Sequence, residues 1–271
     1  MIQALDNSLY MRDRKQYDAI RKKALQFTED YVGSNIIRDT VFQVLKNYIS
    51  QNGLYPQLFL YPFEDEDFCA CTFIKGGRVF VVINTDMALS KQIFAAAHEL
   101  FHLFKCFEDE QSYLSPSILD SATLDEKTTK LEDMEANAFA GLILAPRKSL
   151  LEQMDIYHIR RNSIGVKEIL TLMEIYAMPW KAVVFRLFED EIITKDKARE
   201  LLQISKSEIE QQSELTGQAR KWQRNTEHEI SFGSLLKNMN RVFELKAVDR
   251  KRYHQDEERV NAIRREVSKK S

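Results

Sequence analysis

Glycine, proline and cysteine are scarce in this chain. Its 271 residues include 8 Gly and 5 Pro, too few for many tight turns, so a helix-rich protein is favoured. The 3 cysteines, two of them at Cys69 and Cys71, exclude a disulfide framework and are expected to be small buried apolar residues. No apolar run is long enough for a transmembrane helix, and the N-terminus lacks the pattern of a secretory signal. We therefore expect a cytoplasmic protein.

Charge is almost balanced, which excludes a global attraction to nucleic acid. Lys and Arg number 39 and Asp and Glu number 41, giving a net charge of −2. Residues 218–271 are more basic, with 14 Lys and Arg against 8 Asp and Glu. Acidic residues recur among the basic ones at helical spacing, so a solvated helix with local ion pairs is favoured there over contacts with phosphates.

The periodicity of apolar residues changes from helical to extended and back. Residues 12–50 repeat apolar positions every three or four residues, with a break near Gly33 and an end at Gly53. Gly76-Gly77 lies between two segments rich in aromatic and β-branched residues, which is a hairpin signal. The extended segments are 58–61, 68–74 and 79–83. They predict a small antiparallel sheet of about three strands.

Two helices are predicted after the sheet. The first follows a possible N-cap at Ser90 and continues through Phe107, and the second spans about Leu131–Leu144 and ends before Pro146. Residues 107–130 between them are polar and acidic. A solvated loop is the favoured interpretation of that segment, and a cleft rim that attracts a basic substrate is the alternative.

The first of these helices contains an H-E-x-x-H motif, from His98 to His102. Positions i and i+4 project from one face of a helix, so the two imidazoles can bind a single Zn²⁺. Glu99 lies beside the pair, where its carboxylate suits a general base acting on a water molecule. The residues around the motif are apolar on nearly every side, and burying three ionisable groups is costly unless a metal organises them.

A third protein ligand is needed to complete such a zinc site. No third histidine follows shortly, so a glutamate on the second helix is the other common solution. Glu135 and Glu132 are the candidates. Glu135 is favoured because it directly precedes the Ala-rich stretch and should be more buried. Asn137 could hydrogen-bond to a ligand, or could serve in helix capping or packing.

Several of these motifs together resemble the ImmA/IrrE metallopeptidase family. They are the H-E-x-x-H motif, the run Glu135-Ala136-Asn137 with Phe139-Ala140, the closing Leu144-Ala145-Pro146, and Val82-Ile83-Asn84 before the first helix. The resemblance implies a gluzincin-like site with one Zn²⁺ per chain, the metal ligands His98, His102 and Glu135, and Glu99 as catalytic base. It also implies cleavage of helix-turn-helix repressors.

The resulting prediction is a zinc metalloendopeptidase that cleaves a separate DNA-binding repressor. We predict an α+β fold with N-terminal helices, a small antiparallel β-sheet and a zinc-binding helix pair, followed by an all-helical C-terminal half. The expected domains are a peptidase domain over 1–150, a helix-turn-helix-like subdomain over 151–205 and a charged helical extension over 206–271. The alternative function is a zinc-stabilised module that docks a repressor or DNA without catalysis.

Tyr113, Tyr157 and His158 are candidates for stabilising the oxyanion, although a surface or packing role is favoured for each.

Overall fold

A computed structural model describes residues 5–65, 67–108, 117–120, 131–227 and 229–270 of the chain. Its α-helices are α1 Leu9–Arg12, α2 Arg14–Phe27, α3 Val41–Gln51, α4 Leu89–Glu108, α5 Leu131–Leu144, α6 Arg147–Ile156, α7 Val166–Tyr176, α8 Trp180–Glu189, α9 Lys195–Leu202, α10 Lys206–Thr216, α11 Arg220–Gln223, α12 Leu235–Glu244 and α13 Arg250–Lys270. The strands are β1 Tyr55–Tyr61, β2 Phe68–Lys75, β3 Arg78–Asn84, β4 Ser117–Asp120 and β5 Ser231–Phe232. The predicted α+β class is confirmed.

The sheet is mixed, so the expectation of an antiparallel sheet was wrong in one pairing. Its strand order is β4-β2-β3-β1-β5, and β2 and β3 form the predicted hairpin, with positive φ at Gly76 and Gly77. β3 lies between β2 and β1, antiparallel to β2 and parallel to β1. β4 lies within residues 107–130, which were predicted as a loop, and it pairs with β2. Long-range pairing of this kind leaves no mark on local periodicity.

One face of the sheet packs against α3 and α4. The residues pointing to these helices alternate along the strands and are fully buried at Ala70, Val79, Val81 and Ile83. Helix α4 begins at Leu89, so Ser90 lies within its first turn and is not the N-cap. Buried small residues at Ala95, Ala96 and Ala97 let α4 approach its neighbours closely. The H-E-x-x-H motif therefore lies within a continuous buried stretch of α4, residues 92–104.

Helix α5 packs against both α4 and α2, and a buried arginine holds its C-terminal end. The Arg186 side chain of α8 is 2% exposed and forms ion pairs with Glu189 at 2.9 Å and Asp190 at 2.6 Å. Its Nη1 also donates to Tyr17 Oη of α2 at 3.0 Å, and Nε lies 3.4 Å from the carbonyl oxygen of Ala145. A buried cation is tolerated here because carboxylates and neutral acceptors surround it.

The segment between α11 and α12 contacts the beginning of α4 and the edge of the sheet. The backbone N–H of Leu89 donates to the carbonyl oxygen of Arg224 at 2.9 Å, which satisfies one amide of the first turn of α4. Gln92 Nε2 donates to Thr226 Oγ1 at 2.9 Å, and β5 pairs with β1. Trp222 is 3% exposed within the main core. The predicted extension after 205 thus contributes to the packing around α4, and the predicted domain boundaries stay a prediction.

We predict that Trp222→Ala lowers the free energy of unfolding by about 3–5 kcal/mol, because it removes a buried aromatic side chain. Phe243→Ala is the matched control, since Phe243 is 37% exposed, and its cost should stay below about 1 kcal/mol. Urea denaturation followed by circular dichroism measures both values. Equal small losses for the two variants would mean that Trp222 does not belong to the core.

Candidate metal centre

His98 and His102 project from one face of α4 and point at each other. Their Nε2 atoms lie 3.0 Å apart, and the residues are 0% and 2% exposed. The spacing of one helical turn produces this approach without distorting the backbone. Two nitrogens at such a distance can share one ion. The face of α4 that carries them is covered by α5.

Helix α5 supplies one hydrogen-bond partner for each imidazole. His98 Nδ1 lies 2.9 Å from Asn137 Oδ1, and His102 Nδ1 lies 3.0 Å from Glu132 Oε1. The carboxylate oxygen of Glu132 only accepts, and the amide oxygen of Asn137 also accepts, so both Nδ1 atoms carry the proton. Of the roles considered for Asn137, the hydrogen bond to a candidate metal ligand, His98, is present in the structure.

The pair fits a cation because both Nε2 atoms then present lone pairs to the same point. Burial and the neighbouring His102 hold the pKa of His98 well below its usual value. Burial also lowers the pKa of His102, although the Glu132 carboxylate opposes this shift. Both rings are thus neutral, and without a cation their lone pairs would repel each other at 3.0 Å. Neutral imidazoles with Nδ1–H donated to an oxygen are the usual form of metal-ligating histidines.

Asp133 is the carboxylate that the structure brings to this pair. One ligand atom from each of His98, His102 and Asp133 lies within 4.8 Å of the other two, among the residues that the structure describes. Asp133 precedes Asn137 by four residues, so both project from the face of α5 that meets α4. Asp133 was not among the residues predicted from the sequence.

The two glutamates considered as third ligands have other contacts in this structure. Glu135 is 6% exposed, as expected, but its Oε1 accepts a hydrogen bond from Gln16 of α2, and its Oε2 lies 3.6 Å from Lys105 Nζ. Glu135 is two residues from Asp133, about 200° around the helix, and does not join the described cluster with the histidines. Glu132 is half exposed and contacts His102 through Nδ1 rather than through Nε2.

Glu99 is fully buried between α4 and the sheet. Burial, together with the nearby Glu99 carboxylate, raises the pKa of the Cys71 thiol on β2 to about 11. Cys71 is therefore a protonated thiol at neutral pH. The expectation that the cysteines are buried holds for Cys69 but was wrong for Cys71 and Cys106, which are only partly buried. The carboxylate of Glu99 thus lies on the sheet side of the histidine pair, and Glu99 directly follows His98 in sequence.

The remaining candidates are those considered for stabilising the oxyanion and the acidic segment. Tyr113 and most of the acidic segment 107–130 lie outside the described residues. Tyr157 and His158 follow the C-terminal end of α6, where Tyr157 is 53% exposed and His158 has a φ of 55°. These two residues therefore occupy a surface turn.

Comparison with known protein families identifies the part of the chain that contains this centre. A family of peptidases described as the IrrE N-terminal-like domain matches residues 60–188. The predicted resemblance to ImmA/IrrE proteins is confirmed, and no curated protein matches the chain.

The IrrE N-terminal-like domain begins in β1 and ends in α8, and it includes α4 and α5 with every residue of the centre. The match supports a metallopeptidase-type function. The family match also agrees with the side chains that lie together in this centre, since two neutral imidazoles and a carboxylate are common ligands of a catalytic metal. None of the described helices is both long and apolar enough to cross a membrane.

We predict that the metal-free protein becomes less stable as the pH falls below about 6.5, because the unfolded chain then binds protons at both histidines that the folded chain does not. The loss should reach up to about 1.4 kcal/mol per pH unit for each histidine. Urea unfolding of chelator-treated protein across this range measures the slope. The double variant His98→Gln/His102→Gln should lack this contribution, and an unchanged slope in it would contradict the prediction.

Proposed function

We propose that the chain is a zinc-dependent endopeptidase that acts as a site-specific regulatory protease in the cytoplasm. The observation that carries the proposal is the buried pair of Nε2 atoms, 3.0 Å apart, with each Nδ1 hydrogen-bonded to α5. One zinc ion per chain would be held by His98, His102 and a carboxylate of α5. Zinc is favoured over other divalent metals by the imidazole and carboxylate ligands of a catalytic site.

His98, His102 and a carboxylate of α5 would hold the zinc ion, and the chemistry supplied there would be Lewis-acid polarisation of the scissile carbonyl and a lowered pKa of bound water. Glu99 then accepts the proton from the attacking water and later delivers it to the leaving nitrogen. Burial of Glu99 excludes competing solvent from that carboxylate. His98 and His102 stay in the Nδ1–H tautomer because Asn137 and Glu132 accept those protons.

The geometry and the sequence favour different residues as the third metal ligand. Asp133 is favoured by its position beside both histidines, and Glu135 is the candidate from the family resemblance. The two carboxylates face nearly opposite sides of α5, so both cannot bind the same ion without a change in that helix. Substitution of each by its amide therefore decides between them.

We predict that wild-type protein binds about one zinc per chain and that Asp133→Asn lowers the affinity at least about tenfold, since a carboxylate ligand is lost. Glu135→Gln, a matched removal of one buried charge, should retain the stoichiometry. Metal content after dialysis and competition with a chromophoric chelator measure both. Loss of zinc in Glu135→Gln alone would establish Glu135 as the ligand, and no stoichiometric zinc in wild type would overturn the enzyme proposal.

The proposed substrate is a separate helix-turn-helix repressor, and the first one to test is the product of a neighbouring gene. Support for this substrate comes from the resemblance to ImmA/IrrE proteins. The zinc-loaded chain is incubated with the purified repressor, and the products are identified by mass spectrometry. Cleavage at one bond is expected.

Glu99→Gln should bind zinc like wild type but cleave the repressor about 10²–10⁴-fold more slowly, because the general base is lost. Glu108→Gln is the control, since that glutamate lies at the exposed end of the same helix and pairs with Lys23. Equal rates for Glu99→Gln and wild type would remove Glu99 from the mechanism. Zinc binding and repressor binding without any cleavage would favour the docking module.

A further inference from the structure

Lys105 lies between two carboxylates of α5, one turn beyond His102 on α4. Its Nζ is 3.5 Å from Glu132 Oε2 and 3.6 Å from Glu135 Oε2. The side chain is 38% exposed, so it is neither a core residue nor fully solvated. The proposed mechanism gives this lysine no role.

The two carboxylate oxygens of Glu132 contact different residues, Lys105 and His102. Oε1 accepts from His102 Nδ1 at 3.0 Å, and Oε2 faces Lys105 Nζ. Half of the Glu132 side chain is exposed, and an exposed glutamate normally samples several rotamers. A second contact at Oε2 restricts that freedom and keeps Oε1 in line with the imidazole.

Glu135 is the second carboxylate that contacts the Lys105 ammonium group. Glu132 and Glu135 are three residues apart on α5, a spacing at which two carboxylates repel each other. Lys105 offsets that repulsion, and Gln16 of α2 donates to the Glu135 oxygen that Lys105 does not face. A continuous series of polar contacts therefore extends from α2 through Glu135, Lys105 and Glu132 to the ring of His102.

We propose that Lys105 is a positioning residue for His102. Its ammonium group holds the Glu132 carboxylate where it accepts the Nδ1 proton, and this keeps the imidazole in one tautomer with Nε2 directed at His98. The inference rests on the proposed function only in treating His102 as a metal ligand.

The sign of the effect on metal affinity separates this role from simple electrostatics. Lys105 carries a positive charge close to a cation site, so Coulomb repulsion alone predicts that its removal tightens zinc binding. Loss of positioning predicts the opposite, because a disordered Glu132 no longer orients His102. Loss of a group that orients a metal ligand typically costs 10–100-fold in affinity.

Zinc alone is the probe, and competition with a chromophoric chelator on the full chain gives the dissociation constant. Lys105→Met should weaken zinc binding about tenfold, whereas Lys105→Arg, which keeps the charge, should stay within about threefold of wild type. Lys23→Met is the matched control, because Lys23 pairs with Glu108 at the exposed end of the same helix. Lys105→Met should add no further loss in a Glu132→Gln background, since the contact that it supports is already altered.

Nitrogen-15 spectra of the histidine rings test the inference in metal-free protein, independently of any zinc affinity. Wild type should show His102 as the Nδ1–H tautomer, and Lys105→Met should show a mixture of tautomers. Tighter or unchanged zinc binding with an unaltered tautomer would overturn the inference while leaving the proposed enzyme intact. Absence of zinc binding in wild type would overturn the enzyme proposal, and the tautomer measurement would still decide the role of Lys105.

Discussion

The approach of two buried imidazoles, with Nε2 atoms 3.0 Å apart, constrains the rest of this molecule. Neutral rings present lone pairs to the same point, and this arrangement is stable only with a cation between them or with strong support around them. The support comes from α5, where Asn137 and Glu132 each accept one Nδ1 proton. Helices α4 and α5 must therefore keep a fixed register, and much of the fold serves to hold these two helices together.

Three separate parts of the chain hold that helix pair. The sheet packs against one side of α4, and the segment around Thr226 contacts its first turn. Helix α2 packs along α5 and contributes Gln16 and Tyr17 to two polar clusters. Arg186 joins Tyr17 to the end of α5 from the core. The IrrE N-terminal-like domain thus depends on residues before and after the matched region 60–188.

Local patterns were sufficient to predict the parts of the fold that depend on neighbours in sequence. The 3.6-residue period located α4 and α5, and Gly76-Gly77 located the hairpin, because these signals act within one element. The parallel pairing of β1 with β3 was missed, since it joins strands separated by another strand. The segment 219–234 was also missed, because it is rich in polar residues and Trp222 is its main apolar signal.

The candidate site illustrates the same limit at the level of single residues. Glu135 is more buried than Glu132, as predicted from the sequence. The degree of burial, however, does not tell which side of α5 a residue faces. The face became clear only from the contact between Asn137 and His98, which places Asp133, four residues earlier, beside the histidines. An i, i+4 comparison with Asn137 in the sequence could have suggested Asp133. The role of Lys105 required the packing of α4 on α5 and had no signal in sequence.

The most direct test of the central claim is a crystal structure of the zinc-loaded protein with diffraction data on both sides of the zinc absorption edge. We expect one anomalous peak per chain, bonded by Nε2 of His98, Nε2 of His102 and the Asp133 carboxylate. A peak bonded elsewhere, or an occupied crystal in which the two Nε2 atoms belong to different sites, would contradict it.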